Sequence, residues 1–146
     1  MTTIAWDGLV LAADKRATNA AGVISLTTKI RRLADDTLLG WSGPIENGLQ
    51  LADWYTAGAD PSAWPACQSD SNFAVLIVVK PNGTVYEYES LPVPQQVEDS
   101  KMAWGSGKMA ALAAMHCGMS ATAAVEVAAK FDVYTGSETT LLRLIV

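Results

Sequence analysis

Thr2-Thr3-Ile4-Ala5-Trp6-Asp7-Gly8-Leu9-Val10-Leu11-Ala12-Ala13-Asp14-Lys15-Arg16-Ala17-Thr18 is the stretch on which the fold turns. Its first five residues are rich in β-formers, Asp7-Gly8 is a turn signal, and Leu9 to Ala13 is apolar again. That pattern predicts a strand, a tight hairpin and a second strand, starting at the first residues of the sequence. Beyond it, Asn19-Ala20-Ala21-Gly22 is the next turn, and Val23 to Leu33 alternates well enough for extended structure. Asp35-Asp36 marks a further turn before an apolar strand, Thr37 to Trp41, which runs into Ser42-Gly43-Pro44.

From Pro44 the period changes. Ile45, Leu49, Ala52 and Tyr55 recur at spacings of three and four, which predicts a helix opened by Pro44 and stopped near Gly58. Residues 59–70 read as a loop or short helical turns. Asn72 to Lys80, the Pro81-Asn82-Gly83 turn and Thr84 to Ser90 make a hairpin, followed by a proline-interrupted edge at Leu91 to Gln96. Lys101 to Gly105 is a short strand. The alanine-rich segment after it splits at Gly118, giving a helix over Met109 to Cys117 and a second over Ala121 to Phe131, with Ser120 as its N-cap. Tyr134-Thr135-Gly136 is a turn and Thr139 to Val146 a last strand. Strands and helices therefore do not alternate singly, which disfavours a doubly wound parallel sheet. An α+β arrangement of antiparallel sheets covered by helices fits better.

Composition narrows the class. The chain has 146 residues, half apolar and 17% charged, with ten Lys and Arg against fifteen Asp and Glu for a net charge of −5. One domain of this length buries roughly 70% of the surface its unfolded chain exposes. An acidic, weakly charged chain argues against nucleic acid or an anionic membrane as main partner. No apolar run reaches the ~18 residues of a membrane span. The N-terminus has no basic region followed by an apolar one, so the expectation is a soluble, cytoplasmic chain without a secretion signal. Mean hydropathy, +0.18, is high for a small soluble monomer. Cys67, Cys117 and His116 lack the spacing of a metal site, and adjacent helical residues point about 100° apart, so they read as packing or surface residues. No metal and no cofactor is expected.

Chemistry must come from elsewhere, and Thr2 offers it. Removing an initiator Met before a small residue exposes Thr2 as the N-terminus. Its free α-amine then lies beside its own hydroxyl, so nucleophile and base arrive together. An α-amine titrates near pH ~8, and a fixed cation held by a carboxylate would lower that further. Lys29 and Asp14, at the ends of neighbouring predicted strands, are candidates for those two parts.

The whole pattern resembles a known family. Thr2-Thr3-Ile4 followed by Leu11 to Thr18 is similar to the start of mature proteasome β-subunits and of the bacterial HslV peptidase. Lys29-Ile30-Arg31-Arg32-Leu33 resembles the segment bearing that family's catalytic lysine. Leu39-Gly40-Trp41-Ser42-Gly43 is similar to the strand end that supplies its oxyanion hole. Ala103-Trp104-Gly105-Ser106-Gly107, with Ala110 to Ala113 after it, resembles its GSGG turn into an alanine-rich helix. Asp132-Val133-Tyr134-Thr135-Gly136 resembles the late turn that closes over the nucleophile. Five motifs in register span nearly the whole chain, with a gap around residues 59–70.

The resemblance implies a four-layer αββα sandwich of two antiparallel sheets, the N-terminal nucleophile hydrolase fold, as one domain over residues 1–146. It implies a threonine-type endopeptidase in which Thr2 attacks a peptide carbonyl, Lys29 depresses the pKa of the Thr2 amine and Asp14 orients Lys29. The Gly43 N–H would bind the oxyanion, and Ser106, Asp132 and Thr135 would form a polar ring around the amine. Thr18 would pair with an extended substrate. Trp41 would line the primary specificity pocket, with a preference for apolar or small residues. The implied partners are an unfolded polypeptide or peptide substrate, further copies in a homo-oligomeric ring, and an ATP-dependent unfoldase.

The sequence departs from the family at several points. Pro44 stands where the oxyanion motif has a second Gly, removing one backbone donor. Lys108 replaces the last Gly of GSGG, and the first hairpin and the whole chain are short. Plainer readings stay open for single motifs. Asp14 can be a strand-end carboxylate, Lys29-Arg31-Arg32 a solvated basic edge, and Gly105-Ser106-Gly107 an ordinary strand-to-helix turn. Two other functions also stay open: a silent proteasome-like structural or assembly subunit, and an amidohydrolase of the same fold acting on a small amide.

Overall fold

The computed structural model describes residues 2–145; Met1 and Val146, and with them the fate of the initiator Met, lie outside the described residues. Strands β1 (Thr3–Trp6) and β2 (Val10–Asp14) form the expected hairpin, with Leu9 completing its loop. Gly8 takes φ +99° there, a left-handed conformation that side chains disfavour. β10 (Met102–Gly105) pairs with the free edge of β1, and β11 (Thr139–Arg143) with that of β2, giving an antiparallel sheet in the order β10-β1-β2-β11. The second sheet runs β5 (Ile30–Arg32), β6 (Leu38–Ser42), β7 (Val75–Val79), β8 (Val85–Tyr88) and β9 (Gln95–Val97), every pairing antiparallel. Between hairpin and second sheet, β3 (Arg16–Thr18) and β4 (Ile24–Leu26) form a separate two-stranded ribbon.

Side-chain alternation stacks these sheets. From β1 and β2, Ile4, Trp6, Leu11 and Ala13 face the second sheet and meet Ile30, Leu38, Ile77 and Val79. The alternate residues Ala5, Val10 and Ala12 face outward, onto α2 (Lys108–His116) and α3 (Ala121–Phe131). Small residues lie on both sides of that contact, with Ala111, Ala114, Ala121, Ala124 and Ala128 on the helices, so the helices approach the sheet closely. On the far side, Leu39, Trp41, Leu76 and Val78 pack against Leu51, Ala52 and Trp54 of α1 (Ile45–Thr56). The layers are helices, sheet, sheet, helix: the αββα sandwich expected. Strands covered on both faces read as continuous apolar runs, which explains Leu38 to Trp41 and Val75 to Val79.

Several boundaries moved. Six strands precede α1 rather than four, because the extended segment at 23–33 breaks into β4 and β5, and Arg16 to Thr18 is a strand of its own. Of the proline-interrupted edge only Gln95 and Gln96 are strand, in β9, which runs on to Val97, and two 3₁₀ turns, Pro61–Ala63 and Ala66–Ser69, lie in the loop region. β11 stops at Arg143. Ser120 caps α3 as expected, its Oγ accepting from the Ala123 N–H at 3.2 Å. Among the described residues no helix is long and apolar enough to cross a membrane.

Candidate active site

The antiparallel pairings bring six chain segments to one end of the sandwich. β1 starts there while β2 and β10 end there, which places Thr2, Asp14 and Ser106 together. In the second sheet β5 starts just after Lys29, and β6 ends just before Gly43. The turn between α3 and β11 supplies Asp132 and Thr135.

Asp14 is the hub. It is fully buried, and among the described residues five donors converge on it. Its Oδ1 accepts from the Thr2 hydroxyl, the Thr3 N–H and Lys29 Nζ, each at 2.9 Å. Its Oδ2 accepts from the N–H groups of Gly136 at 2.9 Å and Arg16 at 3.2 Å. Thr2 and Lys29 are each only 2% exposed. Burial pulls the Lys29 ammonium below its ordinary pKa of 10.5, against the opposing charge and hydrogen bond of Asp14, and the nearby Arg16 cation adds to the lowering. A hydroxyl and an ammonium thus meet on one carboxylate oxygen.

A second carboxylate organises the other side. Asp132 Oδ2 accepts from Ser106 Oγ and from Thr135 Oγ1, both at 2.6 Å, while Oδ1 takes the Tyr134 N–H at 3.2 Å. Burial pushes the Asp132 carboxyl up, but these three hydrogen bonds outweigh it and hold the group below its ordinary 3.8. Ser106 Oγ also lies 3.3 Å from the Thr2 carbonyl oxygen. Gly105, at φ +93°, lets the chain pass here, since a Cβ would overlap that carbonyl.

A cleft of about 740 Å³ opens at this end of the sandwich, walled by Ala17, Thr18, Gly43, Pro44, Ile45 and Tyr134 among others. Gly43 has φ +105°, and a Cβ on it would sit 3.0 Å from Ala74 Cα, so this corner requires glycine. No hydrogen bond to a described residue engages the Gly43 N–H. Of the nine residues expected at the site, eight stand around this end of the molecule. Trp41 does not. It is 4% exposed, and its ring packs beneath α1 against Gly48 with the Arg31 guanidinium 5.5 Å from its centroid. The physical reason is strand alternation: residues 39 and 41 of β6 face the helix layer.

Three participants went unread in the sequence. Thr3 Oγ1 lies 2.7 Å from Thr135 Oγ1. The Gly136 N–H binds Asp14, and Arg16 Nη1 donates to the Val133 carbonyl at 2.9 Å, strapping the 132–136 turn to β3. Only the glycine at 136 hinted at this, since a Cβ there would crowd Arg16.

The fold, a four-layer αββα sandwich, is that of solved HslV structures. A scan of protein-family models and a search of curated proteins return no match, so the likeness is carried by solved structures. Eukaryotic HslV from Trypanosoma brucei superposes with a TM-score of 0.71 at 21% identity, over 99% of each chain. BPH from Thiobacillus denitrificans in complex with epoxomicin gives 0.70 at 19% identity, again over 99% of each chain. A second BPH structure gives 0.68 at 21%, over 99% of this chain and 98% of that one. At such identities the likeness establishes the fold.

Proposed function

We propose that the chain is a threonine-type endopeptidase, one proteasome-like domain over residues 1–146 that acts once Met1 is removed. One observation carries this reading: the Thr2 hydroxyl and the Lys29 ammonium share a single oxygen of buried Asp14. With Met1 gone, the Thr2 amine is the base. Thr2 Oγ1 forms a bond to the substrate carbonyl carbon while its proton passes to that amine, directly or through a water. The Lys29 cation, oriented by Asp14, keeps the amine's pKa low enough for it to be unprotonated. The oxyanion takes the Gly43 N–H, a kind of contact typically worth ~3–4 kcal/mol of barrier. The amine then returns the proton to the leaving nitrogen as the C–N bond breaks, and water hydrolyses the acyl-threonine. Ser106, Asp132 and Thr135 orient the Thr2 main chain, and Thr18 pairs with extended substrate along the cleft. The substrate is an unfolded polypeptide or peptide. The working assembly is a homo-oligomeric ring, with an ATP-dependent unfoldase feeding it in the cytoplasm.

Intact mass and N-terminal sequencing first establish whether Thr2 is free. Epoxomicin, which the Thiobacillus BPH binds, is the probe: a Thr2 adduct is expected, and none in Thr2→Ala or Lys29→Ala. Turnover persisting in both variants overturns the assignment. Met1 retained in protein from a host that removes initiator methionine leaves the silent-subunit reading. Cleavage of small amides with no action on unfolded protein leaves the amidohydrolase.

A further inference from the structure

Counting protons around Asp132 gives a buried hydroxyl a part that the mechanism above does not use. Ser106 Oγ and Thr135 Oγ1 each carry one proton, and both stand 2.6 Å from Asp132 Oδ2. A carboxylate only accepts, so both protons are committed to it. Thr135 Oγ1 also lies 2.7 Å from Thr3 Oγ1. With its own proton already placed, Thr135 can only accept there, and Thr3 must donate.

Thr3 is built to hold that orientation. It is fully buried at the head of β1, opposite Gly105, and its N–H is bound to Asp14 Oδ1 at 2.9 Å. Gly107 closes the other side: a Cβ there would overlap Thr3 Oγ1 and stand 2.9 Å from Thr135 Oγ1. Thr3 therefore touches both carboxylates of the site, Asp14 through its N–H and Asp132 through Thr135. It is also covalently joined to Thr2, whose carbonyl Ser106 approaches from the other end of the same chain of hydroxyls.

We propose that Thr3 is a positioning residue: its hydroxyl, an obligatory donor to Thr135, fixes the direction of the Thr3→Thr135→Asp132←Ser106 hydrogen bonds that fasten the 132–136 turn and the Ser106 turn to the start of β1, next to Thr2. Its consequence for turnover rests on the threonine-peptidase reading.

Thr3→Val and the smaller Thr3→Ala remove the donor, whereas Thr3→Ser keeps it. In turnover of an unfolded protein, kcat is expected to fall about tenfold to a hundredfold in the first two, the usual range for orphaning a buried hydrogen-bonding group. KM stays within about twofold, and Thr3→Ser recovers most of the loss. A general packing defect would penalise Ser and Ala together, so their separation is the informative readout, and circular dichroism checks that each variant folds. Carboxyl carbon NMR supplies a readout independent of activity. The Asp132 carboxyl should titrate at higher pH in Thr3→Val or Thr3→Ala than in the parent, as Thr135 turns away. The groups facing it are Ser106, Thr135 and the Tyr134 N–H, with Arg16 reaching the same turn at Val133 and Lys130 on the end of α3. An unmoved titration, or Ala matching Ser in kcat, overturns the proposal. A shifted titration in the two variants, with a parent that neither turns over substrate nor takes the epoxomicin adduct, upholds it and removes the peptidase reading instead.

Discussion

Lys29 is a cation held almost wholly out of water beside the Asp14 carboxylate, and its energetics follow from that placement. Removing one member of a buried pair strands the other charge, so Lys29→Met is expected to cost about 3–5 kcal/mol of stability in guanidinium denaturation near neutral pH. The pH dependence has a defined sign. Because burial lowers the folded pKa below 10.5, the unfolded chain binds more protons between those two values, and native stability rises with pH through that window. The stability gap between parent and Lys29→Met should therefore widen toward pH ~10; a narrowing gap would reverse the account. Trp41 makes the opposite point about residue scale. Buried beneath α1, it is expected to affect stability and not specificity. Trp41→Ala should cost about 3–5 kcal/mol in the same measurement. An altered cleavage preference at unchanged stability would return it to the pocket.

At the scale of elements, caps and turns carry separable contributions. Ser120 accepts the Ala123 N–H, and Ser120→Ala should lower stability by about 1 kcal/mol, read from the denaturation midpoint at constant slope. This cap was legible in the sequence, as were the first hairpin, the helix at 45–56 and the break between α2 and α3 at Gly118, because each has a local chemical signature. What stayed illegible lacked one. Strands of three residues such as Arg16–Thr18 and Ile24–Leu26 are too short to show alternation and exist through their pairing partner. At the site, Asp14, Lys29, Ser106 and Asp132 could be picked out by motif. Thr3 could not, since a threonine in a β-rich run looks like any other until its hydroxyl meets Thr135. Trp41 was misplaced because a motif gives order along the chain but not which face of a fully covered strand a side chain takes.

For the whole molecule, the high apolar content now has an address. The alanines of α2 and α3 lie in their own core against the first sheet, so those helices account for less exposed apolar surface than their sequence suggests. The large exposed apolar residues include Val23, Ile24 and Leu26 on the β3–β4 ribbon, Leu91 and Val93 before β9, and Met109, Phe131 and Val133 at the outer ends of the two helices. Such surface suits contact with further copies of the chain. Light scattering at micromolar concentration is expected to give a multiple of 15.5 kDa, and replacing Val23, Ile24 and Leu26 by serine should reduce it. A monomeric parent would remove the ring from the functional reading.

The five donors on Asp14 have a practical consequence for anyone designing an inactive form of this protein. They come from Thr2, β1, β3, Lys29 ahead of β5, and the 132–136 turn, so the carboxylate is a fastening as well as an electrostatic device. An Asp14 knockout would loosen the strands whose ends it joins, and lost turnover in it would not distinguish chemistry from architecture. Thr2→Ala gives up a single one of those bonds and leaves the other four in place. It is the variant suited to trapping substrate in an intact cleft.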